Sequence, residues 1–238
     1  MKKIVITGGL GYIGTELCKI YSGYSWNDKI IVIDNRFVSE RVNQLRSWNI
    51  EFIHGDILDK DIIKKNCFDA DIVHHLAGIT DVPRVKSESN TEHENKIRKV
   101  AEEGTQNILN SINKNCKIIM PSTHVVFEGL KDIKKDIQEN EETKPILSYG
   151  KSKDVNEKQL KRSGKNFIIL RLGSVYGYST DTARIDIMAN FLEGDRGSVT
   201  QIHRQEQSYI VEEIVPPLPQ LQSGFIEDAL GAPFLERP

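Results

Sequence analysis

The sequence predicts a doubly wound α/β fold: one parallel sheet with helices on both faces. Three observations carry this expectation. Six short runs read as strands buried on both faces: KKIVIT (2–7), KIIVID (29–34), IEFIH (50–54), DIVHHLA (71–77), CKIIMPS (116–122) and NFIILRL (166–172). Longer helical stretches separate them, near 11–24, 38–47, 59–66, 84–113 and 148–164. A glycine-rich turn stands where the first strand gives way to the first helix. Strand–helix alternation sustained over six strands is the signature of a doubly wound fold with right-handed crossovers.

Taken in order, the elements place their chemistry at strand ends. The first strand runs into Thr7-Gly8-Gly9-Leu10-Gly11-Tyr12-Ile13-Gly14. Glycines at 8, 11 and 14 permit a tight turn, close approach of a pyrophosphate, and close packing of helix on strand. The helix that follows offers free N–H groups and the positive end of its dipole to an anion. The second strand ends at Asp34, about twenty residues beyond the third glycine, where a carboxylate can accept both ribose hydroxyls of an adenosine. That favours NAD over NADP, although Arg36 is close by; capping of the next helix is the competing role for Asp34. The third strand ends in Gly55-Asp56-Ile57, where Asp56 can meet an adenine amino group or cap a helix.

His74-His75 close the fourth strand with side chains on opposite faces, and none of the six histidines has metal-ligand spacing. In the helix that follows, Ile97, Ala101, Gly104, Ile108 and Ile112 recur on one packing face. The fifth strand ends in Ser122-Thr123, hydroxyls at the carboxyl edge where such sheets bind ligands. A polar stretch, 128–145, reads as a solvated surface loop. The helix after it carries Tyr149 and Lys153, spaced i, i+4 and so on one face. A neighbouring ammonium favours the phenolate and makes such a tyrosine a usable base.

Composition excludes several classes. The 238 residues are 38% hydrophobic and 28% charged, enough to bury a sizeable core. Acids and bases nearly cancel, to a net charge of -2, so no nucleic-acid or membrane partner is expected. No apolar run reaches the roughly twenty residues of a membrane helix. The opening MKKIVITGG meets glycine too soon for a signal peptide, and a cytoplasmic protein is expected. Cys18, Cys67 and Cys116 are odd in number and far apart, which suits buried thiols rather than disulfides or zinc ligands. Beyond Lys165 lysine disappears, and five of the eight prolines fall in the final 23 residues.

Together these motifs resemble the extended short-chain dehydrogenases/reductases, in the branch of NAD-dependent sugar-nucleotide epimerases and dehydratases. TGGLGYIG (7–14), Asp34-Asn35, Gly55-Asp56-Ile57, His75-Leu76-Ala77-Gly78, Ser122-Thr123, Tyr149 with Lys153, and RLGSVYG (171–177) carry the likeness. A fainter echo lies at 207–215, resembling the segment that returns from the substrate lobe. The resemblance implies a Rossmann domain over 1–173, a partial and apparently truncated substrate lobe over 174–215, and an atypical proline-rich tail over 216–238. It implies NAD held by Gly8, Gly11, Tyr12, Ile13 and Gly14 at the pyrophosphate and by Asp34 at the adenosine ribose, with Asn35 also among the cofactor-binding residues. Asp56 and Ile57 would flank the adenine, and Leu76, Ala77 and Gly78 the nicotinamide side. Lys153 would hold the nicotinamide ribose, Tyr149 would act as base, and Thr123 and Ser174 would touch substrate.

The implied activity is epimerisation of a nucleotide sugar, at C4 through a transient 4-keto sugar, by a homodimer. Two alternatives stand beside it: an NAD(P)-dependent keto-sugar reductase or dehydrogenase, and an NAD-binding domain with little turnover. Departures from the pattern bear on the choice. Where the 4,6-dehydratases carry Asp-Glu after the threonine, this chain has His124-Val125. Glu128 stands in the usual Val-Tyr-Gly, Ser174 replaces an asparagine, and Ala101 stands where an asparagine is usual.

Overall fold

The computed structural model describes residues 1–24, 27–80, 91–130, 137–173, 175, 200–205 and 208–213. One sheet organises them. Its strands are β1 (Lys3–Thr7), β2 (Lys29–Asp34), β3 (Glu51–His54), β4 (Ile72–His75), β5 (Lys117–Thr123), β6 (Asn166–Leu172), β7 (Thr200–Gln205) and β8 (Ser208–Glu213). They lie in the order β3-β2-β1-β4-β5-β6-β8-β7. Every pairing is parallel except β7 with β8. The order reverses direction between β1 and β4, which opens a crevice at their carboxyl ends.

The six foreseen strands are all present. The hairpin β7–β8 was not foreseen, and β8 extends the sheet beside β6, pairing Leu170 with Tyr209. That pairing brings the segment echoing the family's return strand back to the nucleotide-binding sheet.

Alternate side chains of the strands feed two cores. Ile4, Ile6, Ile30 and Val32 pack with α1 (Tyr12–Tyr24) and α2 (Ser39–Ser47), through Cys18, Val42 and Leu45. Val5, Ile31, Ile33, Val73 and Ile118 pack on the other face with α3 (Lys60–Cys67), α5 (Thr105–Ser111) and α6 (Ser148–Arg162). Burial on both faces is why these strands are apolar along their length instead of alternating.

The long helix foreseen over 84–113 is broken. It comprises α4 (Thr91–Lys99), a π-helical turn (Val100–Gly104) and α5. Residues 81–90 are outside the described set. Its foreseen stripe is buried at Ile97, Gly104, Ile108 and Ile112, with Ala101 half-buried.

The polar stretch 128–145 is not simply solvated where it is described. Gly129 N–H donates to Lys144 O (2.8 Å) and Lys144 N–H to Val126 O (2.7 Å). Arg171 Nη1 holds Glu139 O (2.8 Å), and Thr143 Oγ1 donates to Asp154 on α6 (2.6 Å). These contacts draw the segment onto β6 and α6. Ser174, the expected substrate contact, and the tail 216–238 lie outside the described residues.

Candidate active site

The glycine turn is shaped by its neighbours. Gly8 has φ +72°, and a Cβ there would fall 2.7 Å from Ala77 N; one on Gly14 would fall 2.5 Å from Gly8 O. Both positions therefore exclude any side chain. Gly11 N–H donates to Gly8 O (3.0 Å), and Thr15 N–H to Gly11 O (2.9 Å), so α1 begins directly at the turn. No acidic residue stands in the first turn of α1, so no carboxylate of its own competes for those N–H groups. A bare turn feeding a helix N-terminus, at the reversal point of the sheet, fits a dinucleotide pyrophosphate.

Asp34 is buried at the end of β2. Its Oδ2 accepts Leu10 N–H (2.9 Å) and its Oδ1 accepts Arg36 N–H (2.9 Å), so it braces the glycine turn. It does not cap α2, whose N-cap is Val38. Arg36 Nε lies 3.5 Å from Asp34 Oδ1. Asn35 Nδ2 donates to Asp56 Oδ2 (2.9 Å), while Asp56 Oδ1 takes Leu58 N–H (2.9 Å). Cap of α3 is Asp59, not Asp56. The loops after β2 and β3 are thereby tied together beside the turn. Ile57 points into the core, where a Cβ on Gly104 would meet its Cδ1 at 2.3 Å, so its side chain is not offered to a ligand.

The end of β4 carries a buried polar relay. His75 Nδ1 is 3.1 Å from Thr7 Oγ1, and Nε2 is 2.9 Å from Thr105 Oγ1. Asn156 Nδ2, from α6, donates to Thr105 Oγ1 (2.8 Å) and to Ala101 O of the π-turn (2.8 Å). Burial, with the Lys153 charge behind it, pushes His75 down to about 3, so it bridges the elements as a neutral ring. His74 faces the other way, to Tyr21 Oη (2.7 Å), and burial lowers it to about 4. Beyond His75, Leu76 packs partly into the α1 side of the core, and Ala77 N–H leans on Thr7 Oγ1 (3.3 Å).

A narrow cavity gathers Ala77, Gly78, Ala101, Tyr149, Lys153 and Asn156 around one space. The foreseen pair is thus brought to the end of β4. Lys153 Nζ lies 5.9 Å from the Tyr149 ring centroid and donates to Pro121 O (2.9 Å). Burial lowers Lys153 to about 8, against an upward pull from Glu157. Thr123 is buried at the end of β5 and does not line the cavity; its Oγ1 accepts Val125 N–H (3.2 Å) and starts the 3-10 turn His124–Phe127.

Behind these residues lies a buried ion pair. Glu157 takes Arg171 Nε (2.9 Å), Arg171 Nη2 (2.7 Å) and Ser122 Oγ (2.6 Å). Burial alone would raise Glu157, but the Arg171 hydrogen bonds and charge, with Ser122 and Lys161, hold it below the usual carboxylate value. Glu157, Asn156 and the relay role of His75 were not foreseen. The signal available was Asn156-Glu157 on α6, one turn beyond Lys153, where two buried polar residues need partners.

Comparison with known proteins identifies the family. The model of the 3-beta hydroxysteroid dehydrogenase/isomerase family matches residues 5–189. The chain belongs to this family of extended short-chain dehydrogenases/reductases. It is 32% identical over 200 residues to a dTDP-D-glucose 4,6-dehydratase of Dictyostelium discoideum, covering 74% of this chain and 44% of that protein. It is 31% identical over 186 residues to a putative UDP-glucose 4-epimerase of Methanocaldococcus jannaschii, covering 75% of this chain and 57% of that one. The chain thus spans about half the length of the curated relatives it matches. Among solved structures, UDP-glucuronic acid 4-epimerase of Bacillus cereus, in complex with UDP-glucuronic acid and NAD, superposes with a TM-score of 0.62. It is 26% identical, over 80% of this chain and 63% of that chain.

Proposed function

We propose that this chain binds NAD and acts on a nucleotide sugar, as a C4 epimerase working through a transient 4-keto sugar. One observation carries the proposal. Tyr149 and Lys153 share a cavity with Ala77 and Gly78, at the sheet end where the glycine turn offers its pyrophosphate cradle. The relatives named as epimerases, and the Bacillus cereus structure with NAD and UDP-glucuronic acid, support the ligand class.

In this proposal Gly8, Gly11 and Gly14, with the N–H groups of Tyr12 and Ile13, hold the pyrophosphate. Asp34 holds the adenosine ribose once it exchanges its bond to Arg36, and Asn35 and Asp56 border the adenine. Bound NAD supplies the redox chemistry at the sugar carbon. Lys153 holds the nicotinamide ribose and keeps a positive charge below the phenol, which lowers the cost of the phenolate. Tyr149 takes the proton of the sugar hydroxyl and returns it. Thr123 orients that hydroxyl, and Ser174 is the second proposed substrate-binding residue. A 4,6-dehydratase is disfavoured, although one relative carries that name: His124 and Val125 form the turn after Thr123 and supply no acid pair. Two copies would pair through α4 and α6, which light scattering on the purified chain tests.

The deciding experiment incubates the chain with NAD and UDP-, GDP- and dTDP-sugars and follows epimer formation; net NADH release would favour the reductase. Tyr149→Phe is expected to lower turnover by about a hundredfold or more while NAD affinity stays within about twofold. Equal loss of both would remove Tyr149 from its role.

A further inference from the structure

We infer that Glu128 is a positioning residue that fixes the start of α6, and with it Tyr149, relative to Thr123. The inference rests on the roles proposed for those two residues. α6 lacks a cap of its own: its N-cap residue is Leu147, which has no side-chain hydrogen bond to offer. Helix N-termini leave backbone N–H groups that need acceptors. Here a single distant oxygen takes the N–H of the N-cap residue and of the residue before it. Glu128 Oε1 accepts Ile146 N–H (2.6 Å) and Leu147 N–H (2.5 Å), the two residues that lead into Ser148 and Tyr149.

The carboxylate is itself delivered by the chain that leaves Thr123. Thr123 Oγ1 starts the 3-10 turn His124–Phe127, and Glu128 is the C-cap of that turn. The flanking backbone locks the arrangement: Lys144 N–H donates to Val126 O, and Gly129 N–H donates to Lys144 O. A Cβ on Gly129 would fall 2.4 Å from Lys144 O, so residue 129 has to be glycine for the two segments of this clasp to close. On the helix side, a Cβ on Gly150 would stand 3.2 Å from Val125 O and 3.6 Å from Glu128 Oε1, which keeps the first turn of α6 pressed against the clasp. A continuous path therefore runs from Thr123 through Glu128 to Tyr149. A negative charge at a helix N-terminus strengthens it through the dipole.

Glu128→Ala and Glu128→Gln in the full chain test this. Glutamine keeps an acceptor oxygen and loses only the charge. Glu128→Ala is expected to lower kcat at least about tenfold with NAD affinity within about twofold, and Glu128→Gln to recover kcat to within about threefold of wild type. Unchanged kcat in Glu128→Ala, equal loss of kcat and NAD binding, or a Gln variant as poor as Ala would overturn the inference. If wild type binds NAD but turns over no sugar, the proposed function fails instead. Glu128 is then judged by amide hydrogen exchange at Ile146 and Leu147. Exchange should speed about tenfold in the Ala variant and return in the Gln variant; no change would overturn the inference.

Discussion

His75 and Lys153 show how burial sets protonation in this chain, and both carry measurable consequences. A buried neutral histidine costs nothing until the unfolded chain can take up a proton that the folded one refuses. His75 at about 3 and His74 at about 4 are both below the free value of 6.5, so stability is present above that value and is lost as pH falls from it towards the folded values. Each group should remove about 2 kcal/mol by about pH 5, to be seen as a falling urea midpoint. His75→Gln should flatten that fall by about half. Lys153, lowered to about 8, acts with the same sign in a higher window: its folded form sheds a proton early, so stability rises with pH between about 8 and the free value of 10.5. The same loss of charge should give an alkaline fall in turnover near pH 8, and a Lys153→Arg variant should move that fall upward.

Residue types at strand ends were legible because open parallel sheets place their ligands there. The partners of those residues were not. Asp34 is spoken for by Leu10 and Arg36, and Asp56 by Asn35 and Leu58, before any ligand arrives. Side-chain spacing in sequence does not encode which of several N–H groups a carboxylate will meet.

Among the elements, the π-turn between α4 and α5 carries most of the information that sequence pattern missed. Such a turn adds one residue to a single helical turn, and Ala101 and Gly104 are too small to mark it in a hydrophobic stripe. Its carbonyls are covered from α6, by Asn156 at Ala101 O and by Gln159 at Glu102 O (2.9 Å). Asn156→Ala would leave Ala101 O short of one partner and Thr105 without its donor in the interior. We expect a loss of about 1–3 kcal/mol in denaturant unfolding. Gln159→Ala, which removes a half-buried side chain where Asn156 is buried, should cost less. The broken helix and the relay through Thr105 meet at the same residues, so the turn is also where α6 is registered against β4.

At the scale of the whole molecule, six strands were readable from apolar runs alone because both faces of the sheet are covered. The β7–β8 hairpin was not, since TQIHRQ and SYIVEE mix polar and apolar residues as strands at or near a sheet edge do. Two consequences can be measured. Removing one partner of the Glu157–Arg171 pair strands the other charge in the interior; Glu157→Gln should cost about 3–5 kcal/mol. Saturating NAD should raise the unfolding free energy, by about 2.7 kcal/mol at a concentration one hundred times its Kd. Gly8→Ala should abolish that gain, because a methyl group there meets the backbone of Ala77.

The three cysteines divide unequally between the two sides of the sheet: Cys18 on the α1 side, Cys67 and Cys116 on the other. All are free and enclosed, with thiols raised to about 12, 12 and 11. An alkylating reagent such as iodoacetamide can therefore modify them only when a layer of the protein opens. Peptide mapping of the label would clock the two helical layers separately, turning the native thiols into internal timers of how the molecule comes apart.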